Sequence, residues 1–246
     1  MITLIGSAHV LDLSDRIEEE IIARNPGVVA VELDRVRFEA LKSQEGEKVR
    51  DVPLLYRLLH KVQKRIAEKF GVEIGGEMLT AVKTAEKINA GVAFIDMPAQ
   101  NFLSRLMAEM SLKEKIMLFF GGLLGLFVSK ERVEKELDRY QSQDPSDYDG
   151  MMTIEMPAVK RILIDERNEF MAKNLRELED RFGTVVAVVG DGHIPGMKKL
   201  LKDRDVEVLG LKEIQEESDE NGEDAAQHGE DNTEVSFSYE YRYEDD

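Results

Sequence analysis

Four apolar runs in this sequence each hand over to a polar residue able to act on a substrate or a metal. Ile2-Thr3-Leu4-Ile5 runs into Gly6-Ser7-Ala8-His9, Val28-Val29-Ala30-Val31 into Glu32, Val92-Ala93-Phe94-Ile95 into Asp96, and Thr184 to Val189 into Gly190-Asp191-Gly192-His193. Two histidines on matching Gly-x-x-His turns, with carboxylates between them, suit a divalent metal. Neutral imidazole and carboxylate oxygen fit manganese, cobalt or zinc, and iron as well, with no finer choice from softness. A metal with an open position lowers the pKa of bound water, and a nearby carboxylate then serves as general base.

Three more residues join this set. Glu77 follows a glycine pair at an expected helix start, and Glu166-Arg167 lie on a helix where Ile162, Leu163, Phe170 and Met171 mark burial. Arg167 or Arg35 could hold a carboxylate or a developing oxyanion. Each residue also has a plainer reading. A histidine after a strand-end glycine can be a hydrogen-bonded turn residue, Glu32 or Asp96 can cap the next helix, and Glu166 with Arg167 can be a structural ion pair. His60, on a basic helix face, and His228, in the acidic tail, read as incidental. Neither glycine turn has the spacing of a dinucleotide fingerprint or a P-loop.

The elements that would position these residues alternate. Runs at 2–6, 28–31, 92–95, 184–189 and 206–209 read as strands, and helical periods lie between them. Ser14 looks like the cap of a helix that Asn25-Pro26-Gly27 ends. Residues 53–70 carry a helical period, another helix opens at Glu77, and a long one is expected from Ala158 to Phe182. Strands separated by helices pair in parallel through crossovers. The expected fold is α/β, a mostly parallel β-sheet with helices on both faces and a helical insertion, about 98–150, between strands three and four. Strand ends then share one sheet edge, where open α/β sheets bind ligands. The two histidine turns can meet if strands one and four are neighbours.

Composition sets the outer bounds. There are no cysteines, which excludes disulfides, thiolate metal sites and cysteine nucleophiles and fits a reducing compartment. The net charge is −17. From Lys212 to Asp246 there are 14 acidic and 2 basic residues, so a net −12 sits in the tail and −5 in the rest. No basic stripe argues for nucleic acid. Residues 1–211 therefore read as one α/β domain and 212–246 as an acidic, largely disordered tail. Within the tail, 235–243 alternates apolar and polar residues and could add a strand to this sheet or to another chain. The longest apolar run, Ile116 to Val128, has 13 residues, short of the roughly 20 needed to span a bilayer. It reads as a buried helix, a homodimer face or an interfacial segment. No signal peptide is expected, which points to a cytoplasmic protein, either free or membrane-associated.

The chain resembles the TraB/PrgY family, which is itself related to the Tiki proteases and the erythromycin-esterase and ChaN-like group. The resemblance rests on Gly6-Ser7-Ala8-His9, Val31-Glu32-Leu33-Asp34 with Arg37, and Gly76-Glu77-Met78. It continues through Ile95-Asp96, Asp165-Glu166-Arg167-Asn168 with Met171-Ala172, and Val189-Gly190-Asp191-Gly192-His193. These blocks occur in family order over about residues 1 to 210. The resemblance implies a metal-dependent peptidase site whose matching positions are His9, Glu32, Glu77, Glu166, Arg167 and His193. It also implies a role in regulating peptide signals. Two departures stand out: Met97-Pro98 follows the strand-three aspartate where many relatives have arginine, and the acidic tail stands where longer prokaryotic relatives carry a membrane-embedded region.

The leading expectation is a metal-dependent hydrolase, a peptidase acting on a peptide or small protein. His9 and His193 would bind the metal with one or more of Glu32, Glu77 and Glu166, and a remaining glutamate would act as base. The alternative is a non-catalytic protein that sequesters a peptide or haem-like ligand in the same pocket. A third reading is an assembly module that associates through the terminal alternating strand.

Overall fold

The computed structural model describes residues 1–8, 13–42, 75–125, 135, 155–214 and 238–239. The expected helix over 53–70, His9 and most of the acidic tail lie outside them. Five parallel strands form the body of the sheet: β1 (Ile2–Ser7), β2 (Val28–Val31), β3 (Gly91–Phe94), β4 (Val185–Gly190) and β5 (Val206–Leu209). Their order is β5-β1-β4-β2-β3, and a two-residue strand, β6 (Ser238–Tyr239), adds alongside β3. β6 falls inside the alternating terminal run and pairs in parallel with Val92 and Ala93.

Strands one and four are neighbours. Ile2 lies opposite Val185 and Ser7 opposite Gly190, while β4 pairs on its other side with β2 from Val28–Val185 to Val31–Val188. The two Gly-x-x-His turns therefore leave adjacent strands at one edge, and Glu32 leaves the next strand along.

All four β2 residues are buried, as expected for a strand covered on both faces. One face packs α7 (Glu166–Phe182) and α8 (Ile194–Leu200) through Met171, Leu175, Leu178 and Met197. The other packs α1 (Ser14–Arg24) and α3 (Gly76–Lys87) through Ile17, Ile21, Met78, Ala81 and Ala85. α2 (Arg35–Lys42) lies between β2 and α3 in the chain. Ser14 is the first residue of α1, with Leu13 at the cap. Asn25 closes α1 in the left-handed region at φ 41°, its N–H bonded to the Ile21 carbonyl at 3.0 Å.

The long helix expected over Ala158 to Phe182 is in three parts. α6 (Pro157–Lys160) passes into a π-helical turn (Arg161–Asp165) before α7 begins. The turn matters because π turns re-aim the side chains that follow them. Here it brings the Leu163 carbonyl to accept from Arg167 Nη1 at 3.2 Å.

α4 (Ala99–Glu109) and α5 (Leu112–Gly125) follow β3. With α6 they form a separate apolar cluster built on Phe102, Leu106, Met110, Val159 and Ile162. Glu114 ties the cluster together. It is 2% exposed, and its carboxylate accepts from the Ser111 N–H and hydroxyl at 2.8 and 2.7 Å and from the Ala158 N–H at 2.7 Å. It therefore satisfies N–H groups at the start of α6 that the helix itself cannot. Glu114→Ala should cost about 1–3 kcal/mol in urea unfolding; an unchanged midpoint would show that this pin carries no load.

The apolar run is not a core helix over the part described. Leu112, Ile116, Phe119 and Phe120 are exposed on α5. Among the described residues, no helix is long and apolar enough to cross a membrane.

Candidate active site at the carboxyl edge of the sheet

α3 and α7 each lead into the start of a strand, so both run antiparallel to the sheet. Their first turns therefore sit at the edge where the strands end. Glu77 comes from α3 on one face, and Arg167 and Asn168 come from α7 on the other. Between them stand the ends of β2, β3 and β4.

Glu32 is the hub. Its Oε2 accepts the Gly190 N–H at 2.6 Å, its Oε1 accepts from Arg167 Nη2, and the same Oε1 lies 3.2 Å from His193 Nε2. A Cβ on Gly190 would stand 3.3 Å from Oε2, so glycine at this strand end keeps the carboxylate close to the backbone donor. Arg167 continues inward. Its Nε and Nη2 donate to Asp96 Oδ1 and Oδ2 at 3.0 and 2.7 Å, the planar two-point grip that guanidinium makes with carboxylate. The guanidinium also stacks over Phe102, 5.2 Å from the ring centre.

Beyond Asp96 the alternation of charge goes on. Arg37 bonds Asp96, and its Nε donates to Asp34 at 2.7 Å. Asp96 does not cap α4, although its Oδ1 accepts the Met97 N–H at 2.8 Å. The first residue of α4, Ala99, donates to Asp34 Oδ2 at 3.2 Å instead. The plainer reading of Asp96 as a cap thus gives way to a role in the ion network.

The electrostatics follow from this packing. Burial alone would push the Glu32 carboxyl up. The His193 and Arg167 charges, with the His193 and Gly190 hydrogen bonds, outweigh it and hold the group well below the usual carboxylate range. Burial likewise works against the Arg167 cation, but Glu32 and Asp96 raise its pKa further above the ordinary guanidinium value.

Of the residues expected at the site, Glu32, Arg167 and His193 are brought together. Glu77 is 1% exposed in the first turn of α3, at the same edge but on the opposite face from Arg167. Glu166 is held elsewhere. Its carboxylate bonds Arg105 at 2.6 and 3.1 Å and Arg161 at 2.8 Å, an exposed ion cluster, so Glu166 is in ion pairs but not in the expected one with Arg167, which turns to Glu32 and Asp96 instead. Arg35 is exposed at the start of α2. Sequence reasoning did not single out Asn168 or Asp34 for a role, and it quoted Arg37 only as part of a motif. Asn168 had a visible signal, because it is a polar residue in line with Met171, Leu175 and Leu178 on the buried face of α7.

The donors suit a metal in type and in spacing. Ligands about 2.1 Å from a metal at angles of about 90–110° lie roughly 3.0–3.4 Å apart, and His193 Nε2 and Glu32 Oε1 are separated by 3.2 Å. A carboxylate oxygen has two lone pairs, so the Arg167 bond leaves one for a cation. Among the described residues, no group of three histidine or carboxylate side chains gathers at metal-binding distance. His9, two residues beyond Ser7 on the adjacent strand, lies outside them.

A parallel sheet covered on both faces, with a buried histidine–carboxylate–guanidinium cluster at its carboxyl edge, defines an α/β domain. The chain belongs to the TraB/PrgY/gumN family, which it matches over residues 1–208. It is 34% identical over 228 residues to an uncharacterized protein of Methanocaldococcus jannaschii, covering 87% of this chain and 57% of that one. It is also similar to the TraB domain-containing proteins of Bos taurus and Homo sapiens, at 29% and 28% identity over 235 residues, 80% of this chain and 61% of each of those. The chain thus spans about three fifths of the length of the curated relatives it matches.

Proposed function

We propose that this protein is a metal-dependent hydrolase, a peptidase acting on or regulating a peptide signal, with its centre at the carboxyl edge of the sheet. The supporting observation is the convergence of His193 Nε2 and Glu32 Oε1 at 3.2 Å, with His193 following β4, the neighbour of the strand that leads to His9, and Glu32 following β2 on the other side of β4. His193 and Glu32 would hold a divalent ion such as manganese, cobalt or zinc, with His9 as a further ligand. When bound, such an ion supplies a water acidified toward neutral pH and polarises the scissile carbonyl.

The chain's own residues do the rest. Gly190 N–H and Arg167 fix the Glu32 carboxylate in one orientation. Asp96 and the Leu163 carbonyl hold Arg167 in turn, so the cluster is pre-set before a substrate arrives. Arg167 spends its donors on protein oxygens and therefore serves as a positioning residue. Glu77, approaching from the other face, is the candidate base.

The test is a mixed peptide library incubated with the protein and each of the three metals, read by mass spectrometry. Steady cleavage that disappears in His193→Ala is expected. Cleavage absent from wild type, or unchanged in the variant, would contradict the reading. The exposed α5 face, Leu112, Ile116, Phe119 and Phe120, favours a second reading in which a peptide or haem-like ligand is bound without turnover. Steady cleavage would exclude that second reading.

A further inference from the structure

We infer that Asn168 is a positioning residue that sets the tautomer of His193, and that Gly196 is glycine because Asn168 occupies the space beside it. This deepens the hydrolase reading and rests on it for its purpose, though not for its test.

His193 is 5% exposed, so the hydrogen bonds of its ring are made with protein groups. Nδ1 lies 2.7 Å from Asn168 Oδ1, and Asn168 is itself 2% exposed. A carbonyl oxygen only accepts, so this contact requires the hydrogen on Nδ1. The lone pair of the neutral ring is then on Nε2, the nitrogen that faces Glu32 Oε1. Glu32 Oε1, 3.2 Å from Nε2, competes for the hydrogen from the other side of the ring, and without Asn168 that competition is unopposed and the hydrogen moves to Nε2. That nitrogen would then be blocked as a ligand. A hydrogen-bond partner on the far nitrogen is the usual way a ligating histidine is fixed.

Gly196 makes the contact possible. A Cβ at this position would lie 2.2 Å from Asn168 Nδ2 and 3.2 Å from its Cγ. α7 and α8 are packed in the core there, between Met171 and Met197, so the amide and not the helix must give way. Alanine for glycine inside a helix is ordinarily favourable. Here it should displace Asn168 and act on His193 without touching the ring.

The experiment is two-bond ¹H–¹⁵N correlation on the metal-free full chain labelled at histidine, at a pH where the His193 ring is neutral. His193 is assigned by the peak lost in His193→Gln. Wild type should show the hydrogen on Nδ1. Asn168→Leu and Gly196→Ala should both move it to Nε2, and Asn168→Asp, which keeps an acceptor, should leave it on Nδ1. The Nε2 hydrogen in wild type, or an unmoved Nδ1 hydrogen in Gly196→Ala, would overturn the inference. The wild-type spectrum decides even if Asn168→Leu fails to fold. Titration with zinc is the second readout, with affinity expected to fall about 10–100-fold in Gly196→Ala and to be kept in Asn168→Asp. If wild type carries the Nδ1 hydrogen yet binds no metal, the inference stands and the hydrolase reading fails.

Discussion

Arg167→Met should lower stability by about 3–5 kcal/mol, the usual result of removing one partner from a buried ion network. The side chains of Arg167, Glu32 and Asp96 are 11%, 12% and 0% exposed. Methionine fills much of the same volume but leaves Asp96 with Arg37 as its remaining cation and Glu32 with His193. It also removes the bond from Arg167 to the Leu163 carbonyl. Lysine keeps the charge but cannot make the two-point grip on Asp96 together with the bonds to Glu32 and Leu163, so Arg167→Lys should recover only part of the loss. Urea unfolding of the three proteins measures this. A loss under about 1 kcal/mol for Arg167→Met would mean that the network is not what orders this edge.

Glu32→Gln should be milder for stability and severe for activity. Arg167 keeps Asp96 in this variant, and an amide can still accept from Gly190 N–H. In the proposed reading Glu32 holds the ion, so hydrolysis should be lost in this variant together with the bound metal. The variant also has a pH signature. The Glu32 carboxyl is depressed in the folded state, so its contribution to stability is fully present above the unfolded glutamate value, about 4.3. That contribution is lost as pH falls through the lower folded value. Wild type should therefore lose stability below about pH 4.3, and Glu32→Gln should lose less over the same range, as measured by thermal unfolding at a series of pH values. Parallel acid curves for the two proteins would contradict the assignment of the depressed group to Glu32.

The strands, their parallel pairing and the shared edge were legible because β-branched runs punctuated by glycine leave few alternatives. The adjacency of β1 and β4 could be posed from the two matching turns, though no residue in either strand dictates it. The facing of Glu166 and Arg167 was not legible. The apolar residues flanking them, Ile162, Leu163, Phe170 and Met171, accommodate either phase, and the π turn at Arg161–Asp165 shifts the phase in a way no local signal announces. Arg167 consequently points to the sheet and Glu166 to Arg105 and Arg161. Asp96 was ambiguous for a related reason. Its neighbours Met97-Pro98 read as a helix start, and only the long-range pairing of β2 with β3 shows that Asp34 supplies that bond to Ala99. Asn168 had a visible signal as a polar residue on the buried stripe of α7, but its partner was not legible, because nothing local to a neutral amide names the histidine it faces.

The account stands most directly on whether Glu32 and His193 hold a metal. Elemental analysis of the purified protein after incubation with manganese, cobalt and zinc, for wild type and for His193→Ala, decides it. Stoichiometric metal in wild type that is lost in His193→Ala is the predicted result. No metal in wild type, or the same content in both proteins, would contradict it.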